Sequence, residues 1–509
     1  MKLARSENAK KGIMLGSLDH IYRSVVPFII RTIMMYVLGM EYLGLNSLFN
    51  SILQVLNLAE LGVCGAMVYS MYKPIAEDDE DTICALLRLY RTYYRIIGTV
   101  ILGVGLALIP FLPSLIKDEI PKDLNLFVLY LLNLAASVLS YWLFAYKASI
   151  LQAFGRKDVE SLIAIFLNTI KYVSQIIALW VFKNYYAFFV IQFVMQIVSN
   201  IYTAVWVDRL YPNYKPKGTP DASLKAAVNA KIKDLFTVKI GDVVNKYADN
   251  LVISGGLGIV ILGAYQNYAY ILTLPLNLIY NFFDSVRSGI GNSLELEVLD
   301  KNRKDMFKIS FLFLWAITVC IAGLVAVYRH FMYLWVGNSP ERTFSDITVL
   351  LLLVNFYVNS VKSLLDLFKD AAGIWHEDRF RPLVVAIVNL VGNIILIRFV
   401  GINGILVSTI VTVSIINFPW EIRKLFGSVY GGNAKEYVLF IVEMTVKALL
   451  CCVAVYFATF RLPMSGVLWF IIKGVLSVIV SNACFILLNL RGGRIEYMRE
   501  LIKRFIHKS

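Results

Sequence analysis

The stretch LGMEYLG at residues 38–44 separates two apolar runs, and its pattern recurs as LGIVILG at residues 257–263. Each copy ends one run and begins the next, which is the position of a tight turn between two helices. Aligning the copies also brings later apolar positions together, with Ile52 falling on Ile271. The chain therefore predicts two similar halves that start on the same side of a membrane, a parallel repeat whose axis follows the membrane normal.

These copies belong to a series of about fourteen apolar stretches, each near the 20 residues that a helix needs to cross a bilayer. The chain has 509 residues, 58% of them hydrophobic, and its mean hydropathy is +0.68. The sequence predicts an all-α polytopic membrane protein with two parallel six-helix lobes and two C-terminal helices. The predicted spans are residues 13–36, 43–70, 93–116, 124–146, 159–181, 186–207, 235–256, 261–289, 307–328, 346–367, 382–400, 402–420, 437–459 and 466–490.

The basic residues predict the orientation of these spans. Most of the 49 Lys and Arg residues fall in every second connection, which matches the positive-inside pattern when the N-terminus is cytoplasmic. Both termini are therefore expected in the cytoplasm. The connections also account for most of the net charge of +14, so we expect no nucleic-acid binding.

The strongest linker signal is YPNYKPKGTP at residues 211–220, which has three prolines between two apolar runs. The predicted parts are an N-terminal six-helix lobe (1–210), a cytoplasmic linker (211–234), a C-terminal six-helix lobe (235–432), two additional transmembrane helices (433–490) and a basic amphipathic cytoplasmic tail (491–509).

Metal, cofactor and catalytic signals are weak. The six cysteines form no CxxC pair and the four histidines are scattered, so neither a metal site nor a disulfide is expected. The predicted outer connections are too short to hold a catalytic domain, so we do not expect an enzyme.

Charged residues inside the spans are the candidate functional residues, because ionisable groups at membrane depth usually face a cavity or one another. Asp19 lies four residues before Arg23 and should pair with it. Arg31 has no acid nearby in sequence, and both a cavity position and snorkelling to the interface stay open. The basic residues within spans are Arg23, Arg31, Lys171, Lys239, Lys246, Arg287, Lys447 and Lys473.

The first helix of the second half carries an alternating stripe of charge formed by Lys239, Asp242, Lys246 and Asp249. Their spacings of three and four residues place them on one helix face. A self-neutralising ladder and a binding surface are both consistent with this pattern. Glu60 has no partner nearby in sequence, so it could carry a proton or pair with a cation from another helix.

The complete pattern resembles Wzx-type polysaccharide flippases of the multidrug/oligosaccharidyl-lipid/polysaccharide exporter superfamily. The similarity covers essentially the whole chain, although its motifs are diffuse. It rests on the fourteen spans, the polar first span, YVLGMEYLGLNSLFNS at 36–51, the acidic run 77–81 followed by Arg88 and Arg91, and QAFGRKD at 152–158.

The resemblance implies alternating-access flipping of undecaprenyl-diphosphate-linked oligosaccharide repeat units across the bacterial inner membrane, for capsule, O-antigen or exopolysaccharide assembly. Its implied partners are this lipid-linked substrate, membrane lipids and a polysaccharide polymerase. The diphosphate needs cations, and our candidates are Arg23, Arg31, Lys171 and Lys246. The candidates for H⁺ or Na⁺ coupling are Glu60, Asp242 and Asp249.

Two related functions stay open. A lipid II flippase would carry cargo of the same chemistry, and the sequence separates the two poorly. A cation-coupled multidrug exporter of the same superfamily would need an acidic, aromatic cavity. The intramembrane charges without a sequence neighbour of opposite sign are more often basic here, which favours an anionic cargo.

Overall fold

The computed structural model describes residues 2–60, 62–375, 377–490 and 493–499. Within these ranges, the side chains of residues 2–14, 17, 20–21, 59, 234–235, 237–238 and 242 lie outside the description. All regular secondary structure in the described residues is helical, which confirms the predicted all-α class.

The first nine α-helices are α1 (Lys2–Val37), α2 (Met40–Leu56), α3 (Val63–Ala76), α4 (Glu80–Leu108), α5 (Leu126–Trp142), α6 (Ala148–Ala153), α7 (Lys157–Trp180), α8 (Tyr185–Leu210) and α9 (Ala222–Leu257). The other nine are α10 (Ile259–Asp284), α11 (Arg287–Leu296), α12 (Leu299–Val336), α13 (Asp346–Ala372), α14 (Arg381–Val400), α15 (Ile402–Thr412), α16 (Phe418–Leu425), α17 (Ala434–Thr459) and α18 (Val467–Asn489).

Ten helical segments among the described residues are long and apolar enough to cross a membrane. The count becomes eleven when α5 and the bent segment Ala145–Ala153, which meet at 51°, are taken as one span. Helices α1, α2 and α9 coincide with predicted spans but fall outside this set, because α2 has only 17 residues and the other two carry many charged residues. The chain is a multi-pass membrane protein, and the predicted count of fourteen is not confirmed.

The chain divides into two compact units, Met1–Gly263 and Ala264–Ser509. In the first unit, α1 packs along α7, α2 packs on α9, and α5 contacts α4 and α8. Aromatic side chains fill its core, where the Phe49 ring lies 6.3 Å from Tyr130 and 6.2 Å from Phe189. By packing, α9 belongs to this first unit, whereas the sequence repeat assigns it to the second half.

The repeated LG pattern forms two turns of similar geometry. Gly39 and Gly258 have φ angles of 126° and 106°, which side chains other than glycine rarely adopt. The helices before these turns, α1 and α9, both have 36 residues. A Cβ atom on Gly44 would overlap the carbonyl oxygen of Ile259, so the glycine allows α2 and the start of α10 to touch.

The predicted linker is fixed to neighbouring helices and is partly helical. Helix α9 already begins at Ala222, so the second part of the predicted linker 211–234 continues into a helix. In the proline-rich part, Tyr211 stacks on Phe154 at 4.6 Å, and Arg88 donates a hydrogen bond to the carbonyl of Gly218 at 3.0 Å. These contacts hold the segment against α4 and the end of α6.

In the second unit, the long helix α12 packs against α13, α17 and α18. The core around it includes Phe311, Phe313, Phe368 and Tyr437, all fully buried. Two π-helical turns, Val413–Asn417 and Phe426–Tyr430, flank α16.

The predicted tail 491–509 is described only at residues 493–499. There Arg494 donates to Glu443 of α17 at 3.0 Å, and Met498 is buried in the core of the second unit. The rest of the predicted amphipathic helix lies outside the described residues.

Candidate functional site

Two of the four predicted cavity cations, Arg23 and Lys171, lie on α1 and α7, which pack against each other. Arg23 Nε donates to both carboxylate oxygens of Asp19 at 2.9 Å, as their spacing predicts. The Asp19 side chain is only 9% exposed, whereas Arg23 is 51% exposed. Arg23 is therefore anchored through a buried carboxylate while its guanidinium keeps an open side, which is the arrangement an anion-binding arginine needs.

Aromatic and hydroxyl groups surround these cations. The Tyr22 hydroxyl donates to Thr169 at 2.8 Å, and the rings of Tyr22 and Tyr172 lie 5.9 Å apart. The Lys171 ammonium lies 4.6 Å from the centre of the Tyr172 ring. The positive charge of Arg23 is close enough to repel it. In the described part of the chain, no carboxylate lies within ion-pair distance of Lys171. The α1–α7 face thus carries two cations, one carboxylate and two tyrosines.

The remaining predicted cations are not gathered into this group. Arg31 is half-buried on α1, and eight residues of helix place it about 12 Å further along the axis than Arg23. Lys246 on α9 is exposed, with its ammonium 5.5 Å from the Tyr247 ring.

The acidic members of the α9 stripe are only partly described. Asp249 is half-buried, and the side chain of Asp242 lies outside the described residues. The neighbouring Asn250 donates to Ser51 of α2 at 2.8 Å, so this part of α9 faces α2.

Glu60 lies at a break between α2 and α3, in a short 3₁₀ segment, Asn57–Glu60. The Tyr94 hydroxyl donates to Oε1 of Glu60 and the Tyr141 hydroxyl donates to Oε2, both at 2.6 Å. Tyr90 donates in turn to Tyr94, also at 2.6 Å. Among the described residues, no cation lies within ion-pair distance of Glu60. Tyrosine hydroxyls hold both oxygens of the carboxyl group, which makes Glu60 a candidate for binding H⁺ or Na⁺.

A charged network in the second unit was missed by the sequence analysis. The fully buried Arg381, at the start of α14, donates from Nε to both oxygens of Asp378 at 2.8 and 2.9 Å. Its Nη1 atom also donates to Asn417 and lies 3.2 Å from the Glu421 carboxylate.

The same network contains a second cation, Lys369 of α13. Its ammonium donates to Asp366 at 2.8 Å and lies 3.8 and 3.9 Å from Asp378 and Glu421. Lys362 lies 3.4 Å from Asp366 on the same helix. Three carboxylates thus face three cations. This balance suits the network to joining α13, α14 and α16, because an external anion would find no excess positive charge.

The sequence does predict the part of this network that lies within α13. Lys362, Asp366 and Lys369 follow a spacing of four and three, which places them on one helix face. The predicted spans 346–367, 382–400 and 402–420 leave Asp378 and Glu421 in the connections, where solvated charges need no partner. Asp378 and Glu421 are buried because three separated segments of the chain pack together, and a local sequence pattern cannot predict that packing.

The sequence matches no family profile and no curated protein. Solved structures do match. A structure of the lipid II flippase MurJ in an inward closed conformation has a TM-score of 0.68 and 14% identity, covering 96% of this chain and 100% of that chain.

Two MATE transporter structures are also similar. An inward-facing MATE family transporter of the MOP superfamily has a TM-score of 0.63 and 12% identity, covering 79% of this chain and 95% of that one. A variant of the Vibrio cholerae MATE transporter VcmN has a TM-score of 0.57 and 13% identity, covering 85% and 99%. The chain has the same fold as these transporter structures. At these identities the likeness concerns the fold, and it does not distinguish the Wzx-type member expected from the sequence.

Proposed function

We propose that this chain flips undecaprenyl-diphosphate-linked oligosaccharide repeat units from the cytoplasmic to the outer leaflet of the bacterial inner membrane. The flipped units would supply a polymerase for capsule, O-antigen or exopolysaccharide assembly. The observation that carries the proposal is the full-length match to a flippase of a lipid-linked substrate. Because it covers 96% of this chain, it must extend into α17 and α18, whereas the two MATE matches cover 79% and 85%.

The chemistry of the α1–α7 face supports this cargo class. A diphosphate carries negative charge and oxygen acceptors, which guanidinium and ammonium groups bind well. Arg23 has an open side, and among the described residues no carboxylate lies within ion-pair distance of Lys171. Tyr22 and Tyr172 offer ring faces and hydroxyls that suit a sugar. Arg31 and Lys246 remain further candidates for the diphosphate.

We propose alternating access as the mechanism, with both termini in the cytoplasm. Coupling to H⁺ or Na⁺ would involve Glu60, Asp242 or Asp249. Glu60 is the strongest of the three on geometry, since its two oxygens accept only tyrosine hydroxyls among the described residues.

The test of the function is deletion of the gene followed by extraction of the undecaprenyl-linked lipids. We expect oligosaccharide-diphosphate lipid to accumulate on the cytoplasmic side and surface polymer to disappear, with both defects reversed by the wild-type gene. An unchanged lipid pool together with increased sensitivity to cationic drugs would replace the proposal with a multidrug exporter. Accumulation of lipid II with arrested peptidoglycan synthesis would instead assign lipid II as the cargo.

The test of the site uses Lys171→Met and Arg31→Ala in the same deletion strain, with Lys157→Met as the matched control. Lys157 is exposed at the start of the same helix α7 and pairs with the half-buried Glu160 at 3.1 Å. We expect the Lys171 variant to lose at least tenfold in polymer output at equal protein level, and the Lys157 variant to match wild type. Equal output from both would remove Lys171 from the site, while the deletion phenotype would still decide the function.

A further inference from the structure

A second candidate binding site lies in the second unit, where α16 and α17 meet. A cavity of about 340 Å³ opens between the π-helical turn Phe426–Tyr430 and the first turn of α17. Its size falls within the range of about 300–1,000 Å³ that is usual for small-ligand pockets. Arg423 and Lys435, both exposed, contribute its charged side chains, and Ile422, Phe426 and Val438 contribute its apolar wall.

The position of this cavity relative to the bilayer follows from the flanking helices. The segments Ile402–Tyr430 and Ala434–Thr459 are both long and apolar enough to cross a membrane. Only residues 431–433 connect them, so this connection lies at a membrane surface. The cavity therefore occupies the depth at which phospholipid headgroups lie.

The charge around the cavity favours an anion. A Cβ atom added to Gly432, which lines the cavity, would lie 2.6 Å from a terminal nitrogen of Arg303. Arg303 therefore adds a third cation directly behind the wall, and its buried Nε atom has no hydrogen-bond partner. The N-terminus of α17 adds the positive end of its dipole at Ala434.

Two acids lie close to the cavity: one pairs with Arg303 and the other is solvated. Asp300 accepts from Arg303 at 3.2 Å and is 83% exposed. Glu436 is exposed and follows Lys435, which turns it about 100° around the helix. Three cations and a helix N-terminus thus outweigh the carboxylates near the cavity.

An exposed apolar surface leads away from the cavity along α17. Val438, Val442 and Val446 are 39%, 53% and 50% exposed and repeat every four residues, so they form one stripe. Such a stripe below a cationic pocket matches the acyl chain of a lipid whose headgroup occupies the pocket.

We propose that this pocket binds the phosphate headgroup of an anionic phospholipid. The proposal requires only that the chain spans a membrane, so it is independent of the proposed transport function. Arg423 and Lys435 contact the phosphate, and the stripe on α17 contacts the acyl chain.

The test titrates phosphatidylglycerol into the full-length purified protein in detergent micelles and follows binding by native mass spectrometry and by thermal unfolding. Arg423→Gln combined with Lys435→Gln should weaken binding about 25-fold, taking about fivefold for each cation near the surface. The control Lys215→Gln combined with Lys304→Gln removes the same charge from exposed positions, and it should bind as wild type does.

A steric variant separates the pocket from general charge. Gly427 lines the pocket, and a Cβ atom there would meet no atom within 4 Å, so Gly427→Leu fills the space and keeps every charge. It should also weaken binding while unfolding as wild type does without lipid. Equal losses in the charge control, or wild-type affinity in the two pocket variants, would overturn the proposal. Equal stabilisation by inorganic phosphate or by phosphatidylcholine would also overturn it, because the ligand would then be free phosphate or any lipid.

Discussion

Replacing Arg381 by methionine tests whether the buried network holds the second unit together. The side chain is 2% exposed, and its partners Asp378 and Glu421 are 3% and 1% exposed. Without the guanidinium, the one described cation within 4 Å of those two carboxylates is Lys369, at 3.8 and 3.9 Å. Removing one member of a buried ion pair usually costs about 3–5 kcal/mol, because the remaining charge is left without compensation.

The expected loss of stability is therefore about 3–5 kcal/mol in the free energy of unfolding, which is more than a hundredfold in the unfolding equilibrium. The assay is unfolding in mixed dodecylmaltoside–SDS micelles, followed by tryptophan fluorescence. Arg287→Met is the control, because Arg287 forms an ion pair with Asp284 in which both side chains are more than a third exposed. Such pairs contribute about 0–1 kcal/mol.

A double variant identifies the cause of the loss. Arg381→Met together with Glu421→Gln restores equal numbers of acids and bases in the network, so it should recover about 1 kcal/mol or more relative to Arg381→Met alone. The reasoning fails if the free energy of unfolding of Arg381→Met lies within about 1 kcal/mol of that of the Arg287→Met control. It also fails if the double variant is less stable than the single one, because charge balance would then not explain the effect.

Two further predictions concern the first unit. Gly44→Ala should destabilise it by about 1–3 kcal/mol, because the new methyl group meets the Ile259 carbonyl; Gly103→Ala, where a Cβ meets no atom within 4 Å, should be neutral or stabilising in the same unfolding assay. Glu60→Gln keeps one oxygen that accepts a tyrosine hydroxyl, and its new amide group donates, so the second tyrosine hydroxyl must turn to accept. The variant should fold but abolish any dependence of transport on an imposed proton or sodium gradient in proteoliposomes, and a variant that still responds as wild type does would exclude Glu60 from coupling.

The helices of the second unit were predictable to within a few residues where an apolar run is bounded by charge. The predicted span 346–367 appears as Asp346–Ala372, and 382–400 appears as Arg381–Val400. The bilayer fixes the length of such runs, so composition alone locates them. The extensions beyond the runs, as at the end of α13, depend on polar residues that pair with other helices, and composition does not reveal those partners.

The span predicted at 43–70 shows what an apolar pattern cannot resolve. The structure breaks it into α2, the 3₁₀ segment Asn57–Glu60 and α3, so Glu60 lies at a break and not within a continuous helix. The sequence around the break contains no proline and no run of charged residues, so hydropathy does not reveal where the helix ends. The signal that existed was the isolated Glu60 itself, and its tyrosine partners lie 34 and 81 residues away in sequence.

Two glycines of the repeated pattern lie where two helices come into backbone contact. Gly44 and Gly263 hold the same position in the two copies, and a Cβ atom on Gly263 would lie 3.2 Å from the backbone nitrogen of Gly44. Segments related by a two-fold repeat meet at equivalent positions, as residues do at a symmetric interface. Because Gly44 and Gly263 lie against each other, a side chain at either position would enter the same narrow space. Glycine at both positions therefore allows the start of α10 to lie directly against α2.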